Sequence, residues 1–440
     1  MITRYQLNNG LTIQMKEIHT APLISHWVWY RVGSRNEKPG MTGLSHWVEH
    51  MQFKGTPQFP SKVLDKAISR DGGVWNAFTY LDWTTFFETL PADKIELAIQ
   101  LEADRMTNSL YETHEVESER QVVISERQGS ENEPMFRLDE AVQAATFDSH
   151  PYRYRVIGEM KDLELIQRDD LYQHYQTYYT PNNAVLSIAG DFETPRMLEL
   201  LKSYYGHIPA GPALIDEIHP ESPLNRERRL NINGPGETTY LQISYRAPSA
   251  KMQDFFAFTI LDSLLTGPTG LNMFGGGISN KTSRLYRALV EKELAVSITG
   301  GLQATIDPFL YEMNITVHPD QRPDAVLAIL EQEIQRILQE PVPQQEINRA
   351  AKQARALFAY GSENITNQAF WLGFAEMFAT YDWFLGYVSE LEKVTPLDVQ
   401  QVAQTYLDPS RRVVGTYTPD PAPEDIQDIR KNTPQIGVPE

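Results

Sequence analysis

Part of this sequence occurs twice, and that limits the folds open to it more than any other feature. Residues 176–181 read QTYYTP and run into NNAVLSIAGD, while residues 404–409 read QTYLDP and run into SRRVVGTYTPD, about half a chain further on. Each time a helix-like stretch stops at a proline, which cannot supply the next helical N–H, and a β-branched run follows that has the pattern of a strand. Each half also opens with strands: LTIQMKEI and LISHWVWYRV in the first, RRLNI and TYLQISYRA in the second. The pattern predicts an α+β fold of two homologous domains, each a mainly antiparallel sheet with helices packed on one face. Length agrees, because 440 residues are too many for one ordinary core. Residues 1–213 make the first copy and 227–440 the second, with 214–226 linking them inside the proline-rich PAGPALIDEIHPESPLNRE. The tail from position 418 onward is polar and proline-broken, which predicts a frayed end.

Composition removes several classes of function. The chain has no cysteine, which excludes a disulfide framework, a thiolate zinc site and a cysteine nucleophile. A formal net charge of −19 repels phosphates and argues against nucleic acid as a partner, while it suits basic peptides or metal ions. No run approaches the roughly 18 apolar residues that span a bilayer. The N-terminal MITRYQLNNGLTIQM lacks a basic stretch followed by an apolar run, so no signal peptide is expected and the cytoplasm is the default compartment.

Within GMTGLSHWVEHMQFKGT, which reads as a helix entered through Gly43 and left near Gly55, His46, Glu49 and His50 form an H-x-x-E-H run. Positions four apart share a helix face, so both imidazoles can reach one ion. Glu49 projects near that face and can take a proton from a water and pass it to a leaving amine. The bland alternative is a surface helix with solvated histidines. A catalytic zinc also needs a third protein ligand and an open position. Helical spacing returns from Ile95 to Arg127, and in VESERQVVISER both Glu119 and Glu126 lie about two turns apart on one face. Either can be the ligand, the other orienting a histidine. The alternating, aromatic VWNAFTYLDWTTFFETL between these segments predicts two adjacent strands.

These segments resemble the pitrilysin family of inverzincin zinc metallopeptidases, whose smaller bacterial members are half-length chains. The likeness runs in order through NGLTIQM, GLSHWVEHMQFKGT, NAFTYLDWTTFFETLP, LEADRMTNSL, ESERQVVISE, HPYRYRVIG, YYTPNNAVLSIAGD and SRLYRALVEKELA. It implies a peptidase with one Zn2+ per chain, held by His46, His50 and Glu126, with Glu49 as base and Glu119 in support. It also implies that Asn76 and Ala77 lie on an edge strand where an extended peptide adds by backbone hydrogen bonds. By resemblance, two such chains face each other as halves of a clamshell around a chamber.

One departure stands out. Self-sufficient members carry an arginine and a tyrosine in a segment that here reads LVEKELAV, so Val290 and Val296 occupy those places. Neither valine can donate a hydrogen bond to an oxyanion. This favours a heterodimer whose homologous partner supplies the Arg/Tyr pair. Alternatives are a self-sufficient homodimer using Arg284 or Tyr286, and a non-enzymatic core-type scaffold subunit of a larger complex. Residues 267–277 are glycine-rich and predict a mobile loop, resembling one implicated in substrate handling in the non-catalytic subunit of two-subunit members.

Overall fold

A computed structural model describes residues 2–61, 68–216, 220–271 and 278–421. The first half supplies β1 (Ile2–Gln6), β2 (Thr12–Glu17), β3 (Leu23–Tyr30), β4 (Val74–Thr79), β5 (Thr84–Pro91) and β6 (Ala184–Gly190), in the sheet order β1-β2-β6-β3-β5-β4. The second supplies β7 (Arg228–Gly234), β8 (Tyr240–Arg246), β9 (Ala295–Leu302), β10 (Leu310–Val317) and β11 (Arg412–Pro419), in the order β7-β11-β8-β10-β9. Leaving β1 aside, the two orders match strand for strand. Each sheet is antiparallel except for one parallel pair, β2 with β6 and β7 with β11. The duplication expected from the echo is thus present in the topology, with β1 an addition at one edge.

The echoed residues build the same corner in both halves. The helix Arg168–Tyr178 leads through a single turn at Pro181–Asn183 into β6, and the helix Pro396–Tyr406 leads through Pro409–Arg411 into β11. Each proline opens its turn, where the missing N–H costs nothing. The strand then enters the middle of its sheet.

The strands β3 and β6 are buried along almost their whole length, which requires cover on both faces. One face takes helices of its own half, including Ile95–Asn108. The other takes the helix Ile365–Phe378, which comes from the second half. There Trp27 and Trp29 meet Phe370 edge-on at 5.4 and 5.3 Å. The close approach depends on Gly373, where a Cβ would lie 2.1 Å from Trp29 Nε1 and 2.8 Å from Ser187 Oγ. The exchange is reciprocal. The helix Pro134–Thr146 of the first half packs on β11 and β8, and a Cβ on Gly415 would sit 2.4 Å from Val142. Each sheet therefore completes its core with a helix of the other half.

The helical stretch expected from Ile95 to Arg127 resolves into two helices, Ile95–Asn108 and Thr113–Glu131. They part at Ser109, which turns to extended backbone while its hydroxyl sits 2.9 Å from the Arg105 carbonyl and 2.6 Å from Gln52 Oε1. In the linker, Glu221 accepts the N–H groups of Ser149 (2.9 Å) and His150 (2.6 Å), and Leu224 is buried with Leu138 and Val413. Residues 272–277 of the glycine-rich loop, 217–219 of the linker and the tail beyond 421 lie outside the described residues. No helix among the described residues is long and apolar enough to cross a membrane.

Candidate metal centre

The H-x-x-E-H run lies on the short helix Leu44–Met51. Gly43 precedes it at φ +86°, a left-handed conformation in which a Cβ would lie 2.6 Å from the Ile157 carbonyl oxygen. The Glu37 carboxylate accepts the N–H groups of Gly43 (2.8 Å) and Ser45 (2.7 Å), satisfying donors that the first turn leaves open. Leu44, Trp47, Val48 and Met51 point into the core, and Arg120 stacks 4.8 Å over the Trp47 ring. That fixes the helix rotation and turns His46 and His50 toward the Thr113–Glu131 helix, with their ring centroids 4.6 Å apart.

Two carboxylates on that helix meet them. Glu126 Oε2 is 3.9 Å from His46 Nε2 and 3.6 Å from His50 Nε2. Glu119 Oε1 sits 2.8 Å from His50 Nδ1, on the opposite side of the ring. The structure thus separates the two glutamates that sequence spacing left interchangeable: Glu126 shares a point with both Nε2 atoms, and Glu119 holds a ring from behind. One donor atom each from His46, His50 and Glu126 lies within 4.8 Å of the others. A tetrahedral zinc with ligands at 2.0–2.1 Å sets them about 3.3 Å apart, so the three need only a small closure to fit the ion.

Protonation suits the same use. Burial pushes His46 down to about 3, helped by the neighbouring His50, so its ring is a neutral donor. Burial also works against a charge on His50, but Glu119, Glu49 and Glu126 outweigh it and raise the pKa. Burial raises Glu49 too, against the Thr79 hydroxyl, which donates to Oε2 at 2.7 Å. For Glu119 burial acts upward, and the contacts with His50 and Lys54 bring the net shift below the ordinary value.

Asn76 and Ala77 fall on β4, an edge strand paired only with β5 in its sheet. Asn76 is exposed, and its Oδ1 accepts the Ala77 N–H at 2.9 Å. From the end of β4 a cleft of ≈ 310 Å³ opens between the halves, with His46, Thr79 and Glu126 at one end and Gln303, Phe309 and Glu312 on the second half's wall. Tyr80 bridges the walls, its hydroxyl donating to Gln303 Oε1 at 2.5 Å. Val290, Val296, Arg284 and Tyr286 do not line this cleft. A second cluster, Glu17, His19 and Glu193, lies at the surface and offers a single imidazole, with His19 Nδ1 2.6 Å from Asp191 and Nε2 2.9 Å from Glu17. Thr79 and Lys54 were not singled out from sequence. The signal for Lys54 is its position one helical turn after His50, and for Thr79 its place two residues beyond Ala77 on the same strand.

Two histidines and one carboxylate make up a donor set used by zinc peptidases, and here a buried glutamate stands beside it. The chain belongs to peptidase family M16. Residues 12–159 match the model described as Insulinase (Peptidase family M16), and residues 165–354 match Peptidase M16 inactive domain. The second match runs from the end of the first half into the second, and its residues contain no H-x-x-E-H run. An uncharacterized zinc protease of Mycobacterium leprae is 26% identical over 91% of this chain and 87% of its own. A crystal structure of a protease from Helicobacter pylori has a TM-score of 0.88 at 24% identity, covering 95% of this chain and 99% of that one. The periplasmic protease PqqL from Escherichia coli has a TM-score of 0.76 at 18% identity. This chain is covered over its full length, 100%, but accounts for only 51% of PqqL.

Proposed function

We propose that this chain is the zinc-bearing subunit of a metalloendopeptidase, with one Zn2+ held by His46, His50 and Glu126, Glu49 as general base and Glu119 fixing His50. The observation that carries this reading is the convergence of two imidazole nitrogens and one carboxylate oxygen beside a buried glutamate, at the mouth of a cleft. When bound, the ion supplies a Lewis acid that polarises a peptide carbonyl and acidifies a water. Glu49 does the proton work. Its raised pKa lets it take a proton from the attacking water more readily than a solvated glutamate would, and later give it to the leaving amine. Thr79 engages Oε2, so Oε1 is the oxygen that receives the proton. The exposed edge of β4 at Asn76 and Ala77 suits an extended peptide adding as a further strand, which favours peptides and short unfolded segments over folded proteins.

The second half supports the need for a partner. Val290 is half-buried and Val296 exposed, and Arg284 is held in a bidentate pair by Glu346 at 3.0 Å through both arms. Oxyanion donors are therefore assigned to a homologous subunit carrying an Arg/Tyr pair, the two chains closing as a clamshell. That this chain matches half of the longer PqqL is consistent with such a pairing. The test is hydrolysis of a quenched fluorescent peptide mixture by the zinc-loaded chain, alone and with a homologue bearing the pair, with chelator and Glu49→Gln controls. Activity only in the mixture, lost in both controls, is the expected result. Full activity of the chain alone would remove the partner, and cleavage that survives both controls would remove the zinc mechanism.

A further inference from the structure

Lys54 stands one turn beyond His50, where the metal-bearing helix runs out. Its N–H still donates to the Met51 carbonyl at 3.0 Å, continuing the helical winding, and Gly55 then turns the chain at φ +95°. A Cβ on Gly55 would lie 2.6 Å from the Ser61 nitrogen, and the Gly55 carbonyl accepts Leu110 N–H at 3.0 Å. The backbone at Lys54 is therefore held on both sides, and its side chain emerges on the His50 face.

Both residues meet the same carboxylate. Glu119 presents Oε1 to His50 Nδ1 at 2.8 Å and Oε2 to Lys54 Nζ in a close ion pair. The Glu119 side chain is only 7% exposed, so water does little to restrain or neutralise it. A second carboxylate, Glu115, stands 4.0 Å from the same ammonium. Without the ammonium, Glu119 is a nearly dry carboxylate with one oxygen unheld and a like charge nearby.

We propose that Lys54 is a positioning residue of the metal centre: by pinning Glu119 it holds the His50 ring with Nε2 directed at the point shared with His46 and Glu126. This rests on the zinc reading above. Orientation of a metal-bearing histidine from behind its ring is commonly worth about 10- to 100-fold in metal affinity. The sign separates positioning from simple charge. Removing a cation from near a dication should tighten binding by Coulomb's law, whereas losing the positioning should weaken it.

The experiment measures zinc affinity by competition with a chromophoric chelator for the wild type, Lys54→Met, Lys54→Arg and His50→Ala, alongside the melting temperature of each metal-free protein. The expected result, measured at a temperature where every metal-free variant is folded, is about 10- to 100-fold weaker binding for Lys54→Met, with binding largely restored in Lys54→Arg. Unchanged or tighter binding by Lys54→Met overturns the proposal. So does weaker binding that only follows a loss of fold stability and is not recovered in Lys54→Arg. If Lys54→Met does not fold, the tautomer of His50 in Lys54→Gln, read by ¹⁵N NMR on histidine-labelled protein, decides. A mixture of tautomers supports the role, and a single Nδ1-protonated ring overturns it. Failure of the wild type to bind zinc would instead defeat the reading on which the inference rests.

Discussion

Glu49 and Glu119 flank the same two histidines, yet their surroundings give them opposite tendencies. Glu49 is buried with a single hydroxyl donor, so its charged form is disfavoured. Glu119 is held by an imidazole and an ammonium, so its charged form is favoured. The proposed roles follow, since a base must accept a proton and an orienting group must keep its charge. Glu49→Gln should cut peptide hydrolysis by about 10²- to 10⁴-fold while leaving zinc stoichiometry intact. Glu119→Gln should do the reverse in emphasis, weakening zinc binding by about 10- to 100-fold and restoring much of the activity when zinc is in excess. Titrating zinc into both variants while following hydrolysis checks the pair. If excess zinc rescued Glu49→Gln, or if Glu119→Gln bound zinc like the wild type, the assignment would have to be exchanged or dropped.

At the scale of elements, the exchanged helices matter most. Ile365–Phe378 caps a sheet built entirely from the other half, and its seat is set by Gly373 against Trp29. Trp29 cannot readily yield, because it stacks with Trp27 at 5.4 Å and donates to Ser187 Oγ at 3.2 Å. Alanine is the better helix former by about 1 kcal/mol, but overpacking of this kind costs about 1–3 kcal/mol or more. Gly373→Ala should therefore lower stability in a thermal or urea unfolding experiment, and an unchanged or raised midpoint would show that the helix can slide. This exchange was not legible in the sequence. Periodicity marks a face as apolar without naming what covers it, and the unbroken burial of β3 and β6 is the kind of run that also fits a helix. What was legible was local: the proline-closed corner before β6 and β11, the glycine entry at Gly43, and two histidines one turn apart. Spacing alone did not divide Glu119 from Glu126, because two residues on one helix face differ only in what stands opposite each; only the family resemblance distinguished them. The break at Ser109 was not legible, because it depends on a contact with Gln52 from a distant segment.

At the scale of the whole molecule, the burial of histidines ties stability to pH even without metal. His26 is fully buried and pushed down to about 4, and His46 and His174 are each pushed down to about 3, burial being the first cause in all three. Their rings stay neutral in the folded chain, while the unfolded chain protonates them near pH 6.5. Below that pH the unfolded state binds protons that these rings refuse in the fold, so their contribution to stability is full above about pH 6.5 and is lost as the pH drops toward 4. Each such group contributes a slope of about 1.4 kcal/mol per pH unit in that window. His50, whose pKa is raised, pulls the other way, as do the buried carboxylates of Glu37, pushed up to about 8, Glu312, to about 7, and Asp82, to about 6, which keep protons in the fold that the unfolded chain has released. Urea unfolding of the metal-free chain at pH 7.0, 6.0 and 5.0, compared between the wild type and a single-ring variant, isolates the contribution of one histidine. Between pH 7.0 and 5.0 His174→Gln, which removes one of the three rings, should change the slope in the direction of greater stability in acid, by up to about 1.4 kcal/mol per pH unit relative to the wild type, whatever it does to the absolute stability. A slope unchanged by His174→Gln would mean that this ring takes up its proton within the fold, and the buried environment around Ser45 and His174 would then have to be open to water.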